Sequence, residues 1–500
     1  MNSYWIDSVP NLISETNSLD KNSTTDVCIV GGGITGLSCA YYLNKHGFNV
    51  TVLEKDLLAQ KATGNTTAKI TSQHGLFYQY LNNSFSKEFA KNYLMANEQA
   101  IKNIENIIYS ENINCDFEKQ NSYVFTQSED EVSKIKNETS LLNSLGFPAE
   151  YITNISLPIR NILCAIKFPN QAQFHPRKYL AGLCNCLVNR GVKIYENTKV
   201  YDIKKGTNSY ITYTKDHTVE SKYVILASHY PIINIPGFYF LKMYQESSYL
   251  IGVETNKKLF DGMYITSESP TLSFRTTNYG NKRLLIVGGS NHKVGANIDL
   301  SNSYNFLEIK AKHLYPDCKV VYRWSTQDCI SLDKIPYIGE FSNLMPNMYV
   351  ATGFKKWGMT SSNVAANIIT DKILGKNNPH EHVFLSTRFH PIKNNKELGN
   401  IVKEVTYSLA INKLKVPKDT LDSIQKDDAK IIEINNKKIG VYRDSNDNFH
   451  MIEPVCSHLG CELSWNNLDK SWDCPCHGSK FDYYGHSLYD PSIKDIKLIN

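Results

Sequence analysis

Near its N-terminus the chain sets a short continuous apolar run, Asp26–Val30, directly before three glycines. A helical stretch, Leu37–Leu43, and a second apolar run, Asn49–Leu53, follow. Runs of this length bounded by turn residues read as buried strands, so the pattern predicts a strand–helix–strand unit. From about residue 80 to 145, Leu, Ile and Phe recur at irregular helical spacing above one polar face, which predicts helices joining two parts of the molecule. Between 150 and 350 the pattern is mixed, with short strands expected near Val200–Ile203, Tyr210–Thr214 and Arg283–Val287. Lys222–Ser228 and Met348–Thr352 are further apolar runs. In the stretch 391–420, Ile401, Val405 and Leu409 recur every four residues, which predicts one amphipathic helix within a linker. Its expected task is to pack the last domain onto the rest, with binding to a membrane surface as the alternative. Beyond it, Lys430–Ile434, Lys438–Tyr442 and Asn448–Glu453 read as short strands of an antiparallel domain.

The most specific chemistry lies in that last domain. Cys456-Ser-His458 is followed by Cys474-Pro-Cys-His477. Two thiolates and two imidazoles in matched pairs suit a [2Fe–2S] cluster or a zinc ion, since both use Cys and His at short spacings. The flanking residues, CSHLGC and CPCHGSKFD, resemble the Rieske family. That resemblance implies Cys456 and Cys474 on one iron and His458 and His477 on the other. It also implies a disulfide between Cys461 and Cys476, although a reducing compartment works against one. The respiratory pattern places a Ser and a Tyr after the second His, both bonded to sulfur. Here Ser479 is kept and Phe481 stands for the Tyr. Losing a hydrogen bond to sulfur lowers a cluster's potential, so a potential below that of the respiratory proteins is expected.

The N-terminal unit carries Gly31-Gly32-Gly33-Ile34-Thr35-Gly36 between strand and helix, and Glu54 at the end of the second strand. Gly31 would make the tight turn, Gly33 would let backbone approach a pyrophosphate, and Gly36 would let the helix pack closely. The helix N-terminus stabilises phosphate charge, and Glu54 would accept hydrogen bonds from a ribose. Dinucleotide binding follows, but the motif does not choose between FAD and NAD.

Four segments do choose. Gly64–Lys69, containing Thr66 and Thr67, Gln173–Pro176 with Tyr179, Lys222–Ser228, and Tyr349–Thr360, containing Gly353, Gly358, Met359 and Thr360, resemble the glycine-oxidase and D-amino-acid-oxidase-like flavoproteins. The resemblance spans about residues 1–390 and implies FAD as cofactor. It places Thr66 and Thr67 on the flavin side, and makes Gly353–Thr360 the last flavin-binding turn with a helix starting near Thr360. It also implies an antiparallel sheet covering the flavin, to which the strands expected near Val200–Ile203, Tyr210–Thr214 and Arg283–Val287 would belong. The expected fold class is therefore α/β, a Rossmann-type FAD domain with an antiparallel-sheet substrate domain, plus a C-terminal all-β Rieske domain. The boundaries are 1–390, a linker at 391–420, and 421–500.

Composition changes this picture little. A chain of 500 residues needs about three domains or subdomains. Its net charge of +5 has no basic cluster for nucleic acid, so no nucleic-acid partner is expected. No basic n-region precedes an apolar stretch, and no apolar run reaches the ~18 residues of a membrane span. A cytoplasmic protein with no transmembrane segment is expected. Of the 12 Cys, the eight outside the cluster region, Cys184 and Cys186 among them, read as ordinary packed thiols.

The resemblance further implies oxidation of a C–H bond beside an amine nitrogen, with hydride passing to the flavin. An amino-acid substrate would need a cationic fork for its carboxylate, and Arg275 and Arg323 are the candidates, with a structural ion-pair role as the alternative for each. Lys355 and Lys356 sit in the flavin turn, where a cation would stabilise anionic reduced flavin, with a solvated loop charge as the alternative. His175 and His292 are candidates for the cavity wall, with a structural role as the alternative. A cluster accepts one electron at a time. The fusion therefore predicts a dehydrogenase that passes electrons from a small-molecule substrate through FAD and [2Fe–2S] to an external one-electron acceptor. Flow from cluster to flavin, in a reductase or a redox sensor, stays open as the alternative. A Rieske oxygenase would need a mononuclear iron site, and the only dense His group, His380, His382 and His390, lacks helical ligand spacing.

Overall fold

A computed structural model describes residues 3–15, 17–296, 298–388, 417 and 419–499. The expected helix carrying Ile401, Val405 and Leu409, and His390, lie outside the described residues.

The first apolar run forms the strand Ser23–Val30, whose last four residues are fully buried. It pairs in parallel with Val50–Leu53 on one side and Thr218–Leu226 on the other. The helix Ile34–Lys45 crosses between the first two strands. The sheet extends through Lys193–Tyr195 at one edge, and through Met348–Thr352 and Tyr337–Glu340 at the other. Helix Gly358–Ile373 packs on it beside Ile34–Lys45. Strands buried on both faces need continuous apolar sequence, which is why these runs were legible.

A second, nine-stranded sheet stands over the first. It is antiparallel except where Met263–Thr266 pairs in parallel with Glu118–Thr126. Its three longest strands, Met243–Glu254, Lys282–Lys293 and Lys319–Ser331, lie side by side, with Lys319–Ser331 at the sheet edge. Two expectations change here. The strands Asp202–Lys205 and Tyr210–Tyr213 belong to the first sheet, because a tight turn folds Tyr210–Tyr213 back onto Thr218–Leu226. The segment 80–145 is also not all helix: Glu118–Thr126 separates Lys87–Ser110 from Glu129–Ser144 and joins the second sheet.

The C-terminal residues form two small antiparallel sheets. One contains Asp428–Ile434, Lys437–Arg443 and Phe449–Ile452; the other contains Ser464–Asn466, Ser471–Asp473, Lys480–Asp482 and Ser487–Tyr489. Their shared core includes Trp472 and Phe481 with all four cysteines of this region. Phe481 is fully buried in that core, so no hydroxyl is offered at its position.

Candidate functional site

The first glycine of the N-terminal motif is held at φ +113°, and a Cβ there would stand 2.5 Å from the Ala227 carbonyl oxygen. Only glycine fits where three parallel strands end so close together. A Cβ at Gly36 would fall 1.9 Å from the Gly31 carbonyl oxygen, so that glycine lets the helix seat on the loop. Glu54 accepts from the Gly32 amide at 2.7 Å and from the Asp56 amide at 3.0 Å. Burial pushes its carboxyl up from the usual range, against the pull of those two amides.

These groups open into a cavity of about 310 Å³, within the range of a small-molecule or cofactor site. Gly31, Gly33, Glu54, Thr66, Thr67, Gly353, Gly358 and Met359 line it. Thr360 does not: it is buried within the first turn of the helix, where its hydroxyl donates to the Thr71 carbonyl at 3.3 Å. The helix starts at Gly358, two residues earlier than expected, so the unpaired amides of its first turn stand beside Met359 at the wall. The glycine cradle, the acid at the strand end and the helix N-terminus together fit FAD.

Of the cationic candidates, Lys355 lines the cavity and the two arginines do not. Lys355 lies at φ +49° with its Nζ 4.0 Å from the Phe77 ring centre. Burial first, and then the Lys334 cation, pull it down to about 7. Lys356 pairs with Glu246 at 3.0 Å. Arg275 is buried, and its guanidinium donates to the carbonyls of Thr67 at 2.9 Å and Ala68 at 2.7 Å, with longer bonds to Phe174 and Thr276. Its donors are occupied by backbone, so it shapes the Thr66–Ala68 segment. Arg323 pairs with Glu308 at 3.1 Å, outside the cavity.

His175 caps the helix Pro176–Asn189 and bonds Ser8 at 2.9 Å. His292 stacks on Tyr249, away from the cavity. His380 and His382 bond Asn92 and the Pro379 carbonyl separately, so they form no joint site.

Sequence reasoning did not single out Lys69. It lines the cavity, donates to the Tyr264 carbonyl at 2.9 Å and Ser273 Oγ at 2.8 Å, and is pulled well down by burial and by Arg275. The available signal was a lysine within an otherwise uncharged flavin-side segment. The N-terminal helix Tyr4–Ser8 was also missed. Its Trp5 is fully buried and donates from Nε1 to the Thr66 carbonyl at 2.7 Å.

At the other centre, two loops bring the Cys and His candidates together. The Cys456 amide donates to Cys461 O, and the Cys474 amide to Ser479 O, both at 2.8 Å. The thiols of Cys456 and Cys474 stand close enough to interact. That contact, with the His458 amide and the Ser479 hydroxyl, pulls the Cys456 thiol down to about 7. The rings of His458 and His477 lie 5.1 Å apart and perpendicular. Both Nδ1 atoms are buried without a hydrogen-bond partner. Buried polar atoms are rarely left so. Two neighbouring thiols and two orphaned imidazole nitrogens fit the donor set of a Rieske cluster.

Cys461 and Cys476 are joined as a disulfide tying the two loops. The sulfurs of Cys461, Cys474 and Cys476 also lie within 4.8 Å of one another. Two of those three are consumed by the disulfide, so that group is no thiolate metal site.

The cluster end of this domain faces the rest of the molecule. Gln245 Nε2 donates to the His477 carbonyl at 2.7 Å and to the Asp490 carbonyl at 2.8 Å. Gln327 Nε2 donates to the Gly478 carbonyl at 2.6 Å and to Gln245 Oε1 at 2.5 Å. His458 Nε2 lies 3.0 Å from Asn234 Oδ1, and the Phe240 ring meets His477 edge-on at 5.8 Å. A Cβ at Gly295 would fall 2.5 Å from Pro475, so the two surfaces touch through backbone.

No described helix is long and apolar enough to cross a membrane. The model of the FAD dependent oxidoreductase family matches residues 26–372, and that of the Rieske [2Fe-2S] domain matches 415–499. The chain is 36% identical over 497 residues to a Bacillus subtilis (strain 168) protein named as a Rieske 2Fe-2S iron-sulfur protein, YhfW, covering 99% of this chain and 97% of that one. It is 22% identical over 391 residues to the gamma-glutamylputrescine oxidoreductase of Escherichia coli (strain K12), covering 75% and 89% of the two chains. Its fold matches crystalline glycine oxidase from Geobacillus kaustophilus with a TM-score of 0.63 at 19% identity, over 73% of this chain and 99% of that one. The chain belongs to the FAD-dependent oxidoreductase family and joins that fold, related to the amine and amino-acid oxidases, to a C-terminal Rieske [2Fe–2S] domain.

Proposed function

We propose that the protein is a dehydrogenase acting on a small amine or amino acid. In this reading the substrate loses two electrons and two protons to become an imine, and the electrons leave one at a time through the cluster to an external one-electron acceptor. When bound, the flavin supplies hydride acceptance and the [2Fe–2S] centre supplies single-electron transfer. The observation that carries this reading is the pair Gln245 and Gln327. Both are buried, and their amides hold the backbone of His477 and Gly478. Gln327 directly precedes Asp328 and Cys329, which line the flavin cavity. The metal-ligand candidate His477 is thus bonded to strands that wall the cavity, as an internal relay requires.

In this reading Cys456, His458, Cys474 and His477 hold the cluster. Leu250, Ile265 and Gly288 provide an apolar wall on the second sheet, and Ser273 with Lys69 a polar one. A substrate carboxylate would meet the buried Lys69 or the half-buried Lys355 in place of an arginine. The names of the gamma-glutamylputrescine oxidoreductase and glycine oxidase relatives support the amine class.

The test is anaerobic titration of the holoenzyme with amino acids and secondary amines, following flavin bleaching optically and the reduced cluster by EPR. One compound should bleach the flavin, and the cluster signal should then grow in. If dithionite reduces both centres but no amine does, the reading is wrong.

Lys355 makes a second prediction. A cation at the flavin turn favours the anionic reduced ring, and this help is present while Lys355 is protonated and lost as pH rises through its pKa, about 7. Lys355→Met should lower the flavin potential by on the order of 30–60 mV, from ~1.5–3 kcal/mol per charged contact. The loss should be largest below pH 7 and shrink at higher pH. Spectroelectrochemistry at several pH values would show it, and a pH-independent difference would refute it.

A further inference from the structure

The wall of the FAD cavity is not made by the oxidoreductase fold alone. Tyr489, Asp490 and Ile493, from the last turn of the Rieske domain, line it together with Gly31, Gly33 and Glu54. Their contacts locate them within it. Lys55, the residue after Glu54, places Nζ 3.0 Å from Asp490 Oδ1. Lys61 Nζ stands 5.4 Å from the centre of the Tyr489 ring. Thr198, whose amide donates to the Glu54 carbonyl at 2.7 Å, begins the facing wall of Thr198, Lys199 and Val200. The Rieske segment therefore lies at the acid and glycine-loop end of the cavity, where a ribose and a diphosphate belong.

The same segment is anchored on its other side to the cluster. The Asp490 carbonyl accepts from Gln245, which also holds His477. The Ser492 amide donates to Ser479 Oγ at 3.1 Å, and the Ser479 carbonyl accepts from the Cys474 amide at 2.8 Å.

We infer that residues Tyr489–Ile493 of the Rieske domain are part of the FAD site, closing over the adenosine-diphosphate stretch of the cofactor. The oxidoreductase fold supplies the cradle and the Rieske domain supplies the cover. FAD then leaves only when that cover moves. The apolar body of Tyr489 and the side chain of Ile493 exclude water from the channel, while Asp490 holds Lys55 at its edge.

The experiment uses the full-length holoenzyme and follows FAD release as recovery of free flavin fluorescence, with bound iron measured on the same samples. Tyr489→Ala and Ile493→Ser should each speed FAD release at least about tenfold, a change equal to ~1.4 kcal/mol. Tyr489→Phe keeps the covering ring and should release FAD at the wild-type rate. Release unchanged in both Tyr489→Ala and Ile493→Ser overturns the inference, whatever their iron content. The readout is cofactor retention, so it stands apart from substrate identity and direction of electron flow.

Discussion

Cys474→Ala protein is expected to carry FAD and no iron. Cys474 is buried, interacts with the Cys456 thiol, and is placed by its own amide on the Ser479 carbonyl. Removing it leaves one sulfur and two imidazoles, too few donors for a binuclear cluster. Loss of a residue merely supporting a ligand costs ~10–100-fold in metal affinity, so loss of a ligand should exceed about 100-fold. Iron analysis and the EPR spectrum check the first half of this expectation. The second half concerns electron flow: substrate should still bleach the flavin, while reduction of a one-electron acceptor should fall by at least about 100-fold. His458→Ala, on the opposite loop, should behave the same way. Full iron content in either variant would remove that residue from the ligand set.

The second large effect is expected from Gln245→Leu and Gln327→Leu. Both glutamines are 1% exposed, and between them they satisfy the carbonyls of His477, Gly478 and Asp490. Leucine fills similar space and donates nothing. An unpaired buried carbonyl costs ~1–3 kcal/mol, so Gln245→Leu, which strands two, should weaken docking by several kcal/mol. Photoreducing the flavin and timing appearance of the reduced cluster should show transfer slowed by at least about tenfold, the equivalent of ~1.4 kcal/mol. Flavin reduction by substrate should keep its wild-type rate. The two substitutions should not add, because Gln327 donates to Gln245 as well as to Gly478. An unchanged transfer rate in Gln245→Leu would show that electrons take another route.

The features legible in the sequence share one property: their parts lie close along the chain. Gly31, Gly33, Gly36 and Glu54 fall within a single strand–helix–strand unit, so backbone preference and motif spacing point to the same turn. The cluster candidates lie in two short loops whose flanks repeat the pattern of a family. The parallel strands were legible because burial on both faces requires an unbroken apolar run. Even there, the pattern of Tyr210–Tyr213 spoke for a strand and not for which sheet receives it. That choice belongs to the turn back onto Thr218–Leu226.

The roles of single charged and polar side chains were not legible, because their partners are remote. For Arg275 the sequence left a carboxylate anchor and a structural role both open, and the choice lies with its bonds to the carbonyls of Thr67 and Ala68, more than 200 residues away. Gln245 carries no motif, and its bond to His477 spans 232 positions. Tyr489 reads as an ordinary strand residue, yet it stands at the wall beside Glu54. By itself the sequence determined which cofactors the chain is built for, since glycine conformation, thiolate chemistry and apolar periodicity act over a few residues. Only the tertiary structure decided how the two centres meet and which cations face the cavity. Those depend on hydrogen bonds and burial between segments that no local pattern connects.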